Sequence, residues 1–217
     1  MVFVIDLYYS FRSPYCYFLN DRLSNLEKDW DVKINLRPVY PLAIRDPEFF
    51  LRSDPLRRAY HILDSKRVAE YLNIPYRRPI PDPVVSDLEN DTFSEDQPFI
   101  TPVTRLAAAA SLNGDGFKFA NSVMKMMWDG STDNWHENKH LEKATETAGL
   151  NWQTLCGIIK NNWKELDKNI SINQEEQRAA GHWGVPLMVL DGEPFYGQDR
   201  FLELHSRMIN KGLQRRE

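Results

Sequence analysis

The stretch Ser13-Pro14-Tyr15-Cys16 holds the residue types best suited to chemistry. It follows Val2 to Tyr9, a run rich in β-branched and aromatic residues that reads as a buried strand. It precedes apolar residues at helical spacing: Tyr15, Phe18, Leu19, Leu23, Leu26 and Trp30. Ser13 is therefore expected to cap a helix, with Pro14 in its first position. A helix start leaves backbone N–H groups unpaired and carries partial positive charge, so it stabilises an anion such as a thiolate. In a Cys-x-x-Cys motif two sulfurs share that turn. Here serine occupies the first position and Cys16 the last. A serine cannot form a mixed disulfide, but its hydroxyl can donate a hydrogen bond to another molecule's thiolate. The pattern suits a site that holds a thiol cofactor. It is equally compatible with a plain helix cap, and Cys16 with a small buried hydrophobe.

Three further places carry potential chemistry. Gly184-Val185-Pro186 precedes an apolar strand. A cis X–Pro bond would fit a turn there, and it would present the backbone of Val185 to a peptide-like ligand; an ordinary turn is the alternative. Asp199 stands where the last helix opens and could hold a ligand's ammonium or simply cap that helix. His136-Glu137-Asn138-Lys139-His140 is a literal H-E-x-x-H, which on a helix can bind zinc. No third ligand follows at the usual interval, and a solvated surface turn is the expectation, with no metal.

The elements that must position these residues follow from spacing. Val32 to Val39 reads as a second strand, making the opening strand–helix–strand and suggesting parallel pairing. Helices are expected over 54–72, 102–112, 116–128, 138–148 and 151–162, with Gly149 as a C-cap. Between the first two, 75–102 holds six of the 13 prolines and reads as an irregular surface excursion. Leu187 to Leu190 and Glu193 to Tyr196 flank Asp191-Gly192, a hairpin turn, before the final helix from Asp199. The order predicts an α/β fold: a thioredoxin-like domain from 1–42 and 178–217 with a large inserted all-helical domain over 43–177.

The motifs together resemble the 2-hydroxychromene-2-carboxylate isomerases and the kappa-class glutathione transferases. Three blocks carry the resemblance: Tyr8 through Tyr17; Tyr60, Asp64, Arg67 and Ala69 with Ile74-Pro75; and Gly184-Val185-Pro186 with Asp191-Gly192-Glu193 and Phe195 through Arg200. It implies glutathione as cofactor and, usually, a homodimer. It implies that Ser13 activates the glutathione thiol, that Ser13 and Pro14 form the thiol's berth, that Val185 and Pro186 clasp the cysteinyl part, and that Gln198 and Asp199 hold the γ-glutamyl end. The implied reaction is cis–trans isomerisation of a small aromatic carboxylate by transient addition of the glutathione thiolate. A kappa-like transferase or peroxidase, or thiol–disulfide exchange through Cys16, are the alternatives. A substrate carboxylate calls for a nearby cation; Arg12, Arg37, Arg45 and Arg52 are the candidates. Two departures stand out. Cys16 occupies a position usually held by serine, and the segment Phe49 to Pro55 lacks the family's asparagine, so the substrate pocket is expected to differ.

Composition excludes several classes. The 217 residues carry 27 Lys+Arg and 31 Asp+Glu, a net charge of −4, which weighs against a general nucleic-acid binder. Two cysteines make no disulfide framework. No apolar run is long enough to span a membrane. The opening residues lack the basic and small-residue pattern of a secretory signal, so a reducing cytoplasm is the expectation.

Overall fold

The computed structural model describes residues 2–87 and 92–216. A four-stranded sheet has the order 32–38, 3–9, 187–190, 193–196. Strand β1 (Phe3–Tyr9) lies at its centre and pairs in parallel with β2 (Val32–Pro38), Phe3 opposite Val32 and Tyr9 opposite Pro38. Parallel neighbours need a crossover, and α1 (Pro14–Asp29) supplies it. Strand β5 (Leu187–Leu190) runs antiparallel to β1, Leu7 opposite Met188, and β6 (Glu193–Tyr196) closes the hairpin. A 3₁₀ turn over Gln198–Arg200 leads into the last helix, α9 (Phe201–Asn210).

Between β2 and β5 the chain is mostly helical: α2 (Leu42–Arg45), α3 (Glu48–Arg52), α4 (Leu56–Leu72), α5 (Ile100–Ser111), α6 (Gly116–Trp128), α7 (His140–Thr147) and α8 (Trp152–Ala179). This is the expected thioredoxin-like fold with a helical insertion. Insert and sheet share one hydrophobic core. Ile5, Leu7, Phe18 and Leu23 belong to the same buried cluster as Val103, Phe119, Trp128 and Ile170. Helix α5 buries Ala107 to Ala110, small side chains that let helix and sheet approach closely. Burying one large apolar side chain contributes about 1.5–3 kcal/mol, so this common core holds the insert firmly to the sheet.

Three expectations change. Helix α8 continues 17 residues past Asn162, the expected end, to Ala179. Asn162 itself is non-helical (φ −130°, ψ 20°), so a kink lies where the spacing faltered, but the helix resumes beyond it. Its C-terminal half is held by tertiary bonds: Asn173 donates to the Pro38 carbonyl (3.0 Å) and Gln174 accepts from the Tyr40 N–H (3.1 Å). The helix expected from 138 begins at His140, because Asn138 (φ 50°) and Lys139 (φ 63°) are left-handed. His136 and His140 therefore do not share a helical face, and the H-E-x-x-H pattern forms no metal site. Among the described residues no three His, Cys, Asp or Glu side chains converge as metal ligands.

The proline-rich excursion is not wholly irregular. Strands β3 (Ser86–Asp87) and β4 (Thr92–Phe93) pair antiparallel, while 88–91, also part of that expectation, lie outside the described residues. Bonds strap the excursion down: Tyr17 donates to the Pro75 carbonyl (2.8 Å), Trp135 to that of Pro81 (2.9 Å), and the Gln97 amide brackets Val85 from both sides. No helix among the described residues is long and apolar enough to cross a membrane.

Candidate functional site

The site begins at the C-terminal end of β1. Ser13 adopts extended backbone angles and caps α1, its Oγ accepting the Cys16 N–H at 3.3 Å. The same oxygen keeps its own proton to donate. Pro14 has no N–H, and Cys16 and Tyr17 donate to the Ser13 carbonyl. Among the described residues the Tyr15 N–H is therefore the first-turn donor left over, beside a half-buried serine hydroxyl. An anion placed there meets two donors and the positive end of a 16-residue helix.

Cys16 is fully buried. Burial pushes its thiol up to about 12; the Ser10 backbone and the Ser13 hydroxyl pull the other way without offsetting it. The thiol stays protonated and inaccessible at neutral pH, which is the small-hydrophobe role.

Register brings the second half of the site to the same end of the sheet. Leu187 pairs with Tyr8, so Val185 and Pro186 lie just beyond the point where β1 gives way to α1. The Val185–Pro186 bond is cis. The loop is braced on every side. Gln177 donates to the Gly184 carbonyl (2.7 Å), the Gly184 N–H to His182 Nδ1 (2.8 Å), and the Gly197 N–H to the Pro186 carbonyl (2.9 Å). The His182 ring stacks on Tyr196 at 3.7 Å. A Cβ at Gly184 would sit 2.4 Å from the Tyr196 ring, so only glycine fits. The N–H and C=O of Val185 take no hydrogen-bond partner among the described residues. That is the edge an extended peptide could pair with.

Gln198 and Asp199 follow at the β6–α9 turn. Gln198 accepts a short hydrogen bond from Arg22, whose guanidinium lies 5.3 Å over the Phe201 ring. Arg22 was not singled out from the sequence, because only the fold brings α1 against this turn. Asp199 pairs with Arg200 at 3.1 Å and also acts on Arg22. Gly197 has φ +100°, and a Cβ there would lie 2.4 Å from Asp199 Oδ1. Gly197→Ala should therefore displace the Asp199 carboxylate. The expected result is a loss of about 1–2 kcal/mol in urea denaturation, together with a several-fold weaker affinity for any ligand that uses Asp199.

The four arginines separate. Arg12 lies beside Ser13, bonded to Asp82 at 2.8 Å and 5.9 Å from the Phe93 ring. Arg37 pairs with Asp6 and Glu176 on the sheet. Arg52 pairs with Asp46 and Glu48 on the exposed end of α3. Arg45 spends its donors on the Tyr40 and Trp183 carbonyls (2.6 and 3.0 Å) and on Gln177 Oε1 (3.0 Å). Each of its three nitrogens is engaged, so it braces the loop before Val185, and two of its five N–H groups take no bond among the described residues.

The profile of the DSBA-like thioredoxin domain matches residues 4–208. The chain belongs to that family. Within it, the chain is 23% identical over 219 residues to 2-hydroxychromene-2-carboxylate isomerase from Sphingobium xenophagum, covering 97% of this chain and all of that protein. A solved 2-hydroxychromene-2-carboxylate isomerase superposes with a TM-score of 0.71 at 20% identity, covering 95% of both chains. The cytosolic disulfide reductase DsbM from Pseudomonas aeruginosa, solved with GSH, superposes with a TM-score of 0.58 at 15% identity, covering 94% of this chain and 99% of that one. The first turn of this protein's α1 lacks the paired cysteines of a Cys-x-x-Cys motif. Where disulfide exchange requires Cys-x-x-Cys, it carries a capping serine and an entombed cysteine.

His61 on α4 completes the neighbourhood. Its ring packs edge-on against Tyr15 at 5.3 Å. Burial, with Arg78, Arg57 and Arg12 nearby, lowers its proton affinity to about 4 against a weaker pull from Asp64. The folded state thus resists protonating a group that the unfolded chain protonates below pH 6.5. Stability should fall as pH drops from about 6.5 to about 4, by about 2 kcal/mol after allowing for solvent screening. Urea titrations at pH 7, 5.5 and 4.5 check this: the acid loss should shrink by more than half in His61→Gln.

Proposed function

We propose that the protein is a glutathione-dependent cis–trans isomerase of an aromatic carboxylate of the 2-hydroxychromene-2-carboxylate kind. One observation carries the reading: a serine hydroxyl and an N–H unpaired among the described residues crown α1, where disulfide exchange would need a reactive thiol, while the chain's own Cys16 is sealed in the core. The name of the Sphingobium xenophagum relative supports the reaction class.

The residues fit the tripeptide. The unpaired backbone edge of Val185 matches its peptide groups, Asp199 matches its ammonium, and Ser13 with Tyr15 N–H matches its sulfur as an anion. What glutathione would supply is a nucleophilic sulfur, recovered at the end of each turnover. Ser13 donates its proton in a hydrogen bond where negative charge sits, and the helix terminus adds a fixed dipole aimed at the same point. Pro14 fixes the first helical residue so that these donors need no rearrangement.

Turnover of 2-hydroxychromene-2-carboxylate with glutathione tests the proposal. The expected result is isomerised product with free glutathione recovered in full and none consumed. A stable thioether would instead mark a transferase of the kappa kind.

A homodimer belongs to the same proposal. Leu56, Tyr60, Leu63 and Tyr71 recur along one side of α4 at 75%, 61%, 47% and 89% exposure. Such a stripe suits a second copy of the chain. Sedimentation should give about twice the monomer mass, returning to monomer in Tyr60→Glu. Two free cysteines and a serine-based site suit a reducing compartment, the cytoplasm.

A further inference from the structure

Arg12, Arg37 and Arg105, all part-buried, each reach a carboxylate, at 2.8, 3.0 and 2.6 Å. Arg45 forms no ion pair but hydrogen-bonds through all three nitrogens. Arg22 on α1 does neither. Its Nη2 serves the Phe18 carbonyl at 3.4 Å and the Gln198 side chain. Its Nε is sealed in without a partner, and its Nη1, which is not sealed in, makes no hydrogen bond among the described residues. No carboxylate among the described residues forms an ion pair with it.

Burial lowers the proton affinity of Arg22 and Asp199 opposes the change, so at neutral pH the group is a cation. A guanidinium kept from water without an anion is costly, and two amide-type oxygens with the Phe201 ring at 5.3 Å offset only part of that cost. Asp199 is near enough to act on Arg22 but pairs with Arg200 instead, through Oδ2 at 3.1 Å. Its Oδ1 takes no partner among the described residues. A cation with an open nitrogen and an anion with an open oxygen therefore stand near one another at the turn between β6 and α9 without pairing. Their complement is a single carbon that bears both an ammonium and a carboxylate.

Reach agrees with this. Arg22 lies nine residues after Ser13, about 13 Å along the helix axis. Helical side chains lean toward the N-terminus, which returns the guanidinium over part of that distance. Two extended residues span about 7 Å, and a γ linkage is longer still. With the sulfur at the first turn of α1, the glutamyl end of the tripeptide arrives at the Arg22 guanidinium. We propose that Arg22 binds the α-carboxylate of the γ-glutamyl group, so that Arg22 and Asp199 together decide which thiols the site accepts. This rests on the glutathione reading and narrows it: a thiol without an α-amino-acid end, such as coenzyme A, is refused.

Calorimetric titration with glutathione and with 4-aminobutanoyl-Cys-Gly, which keeps the ammonium and the thiol but lacks the α-carboxylate, tests the assignment. Wild type should bind glutathione about tenfold more tightly or better, the worth of one charged hydrogen bond. Arg22→Gln should weaken glutathione by about the same factor and leave the analogue within about twofold. The melting temperature of that variant should not fall, because a cation without an anion leaves a half-buried place. Arg22→Lys should restore part of the preference, since the charge returns without the planar fork. Equal binding of the two ligands by wild type would overturn the assignment alone. So would an Arg22→Gln variant that weakens both ligands alike, the mark of an arginine that merely holds Gln198 in place. A wild-type protein that binds neither ligand at millimolar concentration sinks the glutathione reading itself, and this assignment with it.

Discussion

Replacing Ser13 by alanine should lower glutathione-dependent turnover by about 10²-fold or more while the protein stays folded. Loss of one donor aimed at developing charge costs about 10²–10³ in rate in comparable sites. Alanine keeps the Cβ and the backbone angles of the cap but loses the acceptor for the Cys16 N–H at 3.3 Å. The stability cost is therefore that of one N-cap, about 1 kcal/mol. Cys16→Ala should do the reverse. It removes a fully buried side chain, costs about 1–2 kcal/mol of core packing, and leaves turnover within a few-fold. A thiol-exchange enzyme would show the opposite pattern, with Cys16 essential and Ser13 dispensable. Ser13→Cys sharpens the contrast. It places a second thiol at the start of α1, where the helix terminus favours a thiolate, across the turn from Cys16. That variant should gain disulfide-reducing activity towards insulin and lose most isomerase turnover. Steady-state kinetics on the three variants, each with a urea denaturation curve, decide the matter.

The parts of this site that could be read from the chain are the parts that are local. Ser13, Pro14 and the helix behind them are a cap and an amphipathic pattern, both written in neighbouring residues. The hairpin after Pro186 was legible for the same reason, through Asp191-Gly192, both left-handed in the structure. What escaped depends on distant partners. The second half of α8 is rich in Asn, Gln and Glu and has no strong apolar face; buried Asn173 and Gln177 hold it through bonds to Pro38 and Gly184. Arg22 meets Gln198 across 176 residues of sequence. The start of α7 moved from 138 to 140 because Asn138 and Lys139 are bent into left-handed turns that the spacing does not encode. Arginines were the least legible residues of all, since the side chain that clasps a ligand and the one that clasps a loop are spelled alike.

Arg45 shows the difference, and its replacement is expected to do more harm to folding and cofactor binding than to substrate recognition. Three nitrogens serve three acceptors: the Tyr40 carbonyl after β2, the Gln177 side chain at the end of α8, and the Trp183 carbonyl in the loop before Val185. Burial lowers its proton affinity to about 10, with Arg178 adding to the effect and Asp46 opposing it, yet it remains a cation at neutral pH. Gln177 in turn holds the Gly184 carbonyl, so one guanidinium braces the chain entering Val185 both directly and through Gln177. Arg45→Met keeps the apolar stem and removes three hydrogen bonds, two of them part-buried and the one to the Trp183 carbonyl exposed, a loss of about 2 kcal/mol in all. The Trp183 ring, 5.0 Å from Phe49, would lose its tether, and the backbone edge of Val185 would cease to be held in one place. Glutathione affinity should fall about tenfold, because order that the fold now provides would have to be supplied by binding. Arg45→Lys can reach only one of the three acceptors and should recover less than half of either loss. A substrate-binding arginine would behave otherwise: its loss would raise KM for the acid and leave both the urea midpoint and the glutathione titration where they were.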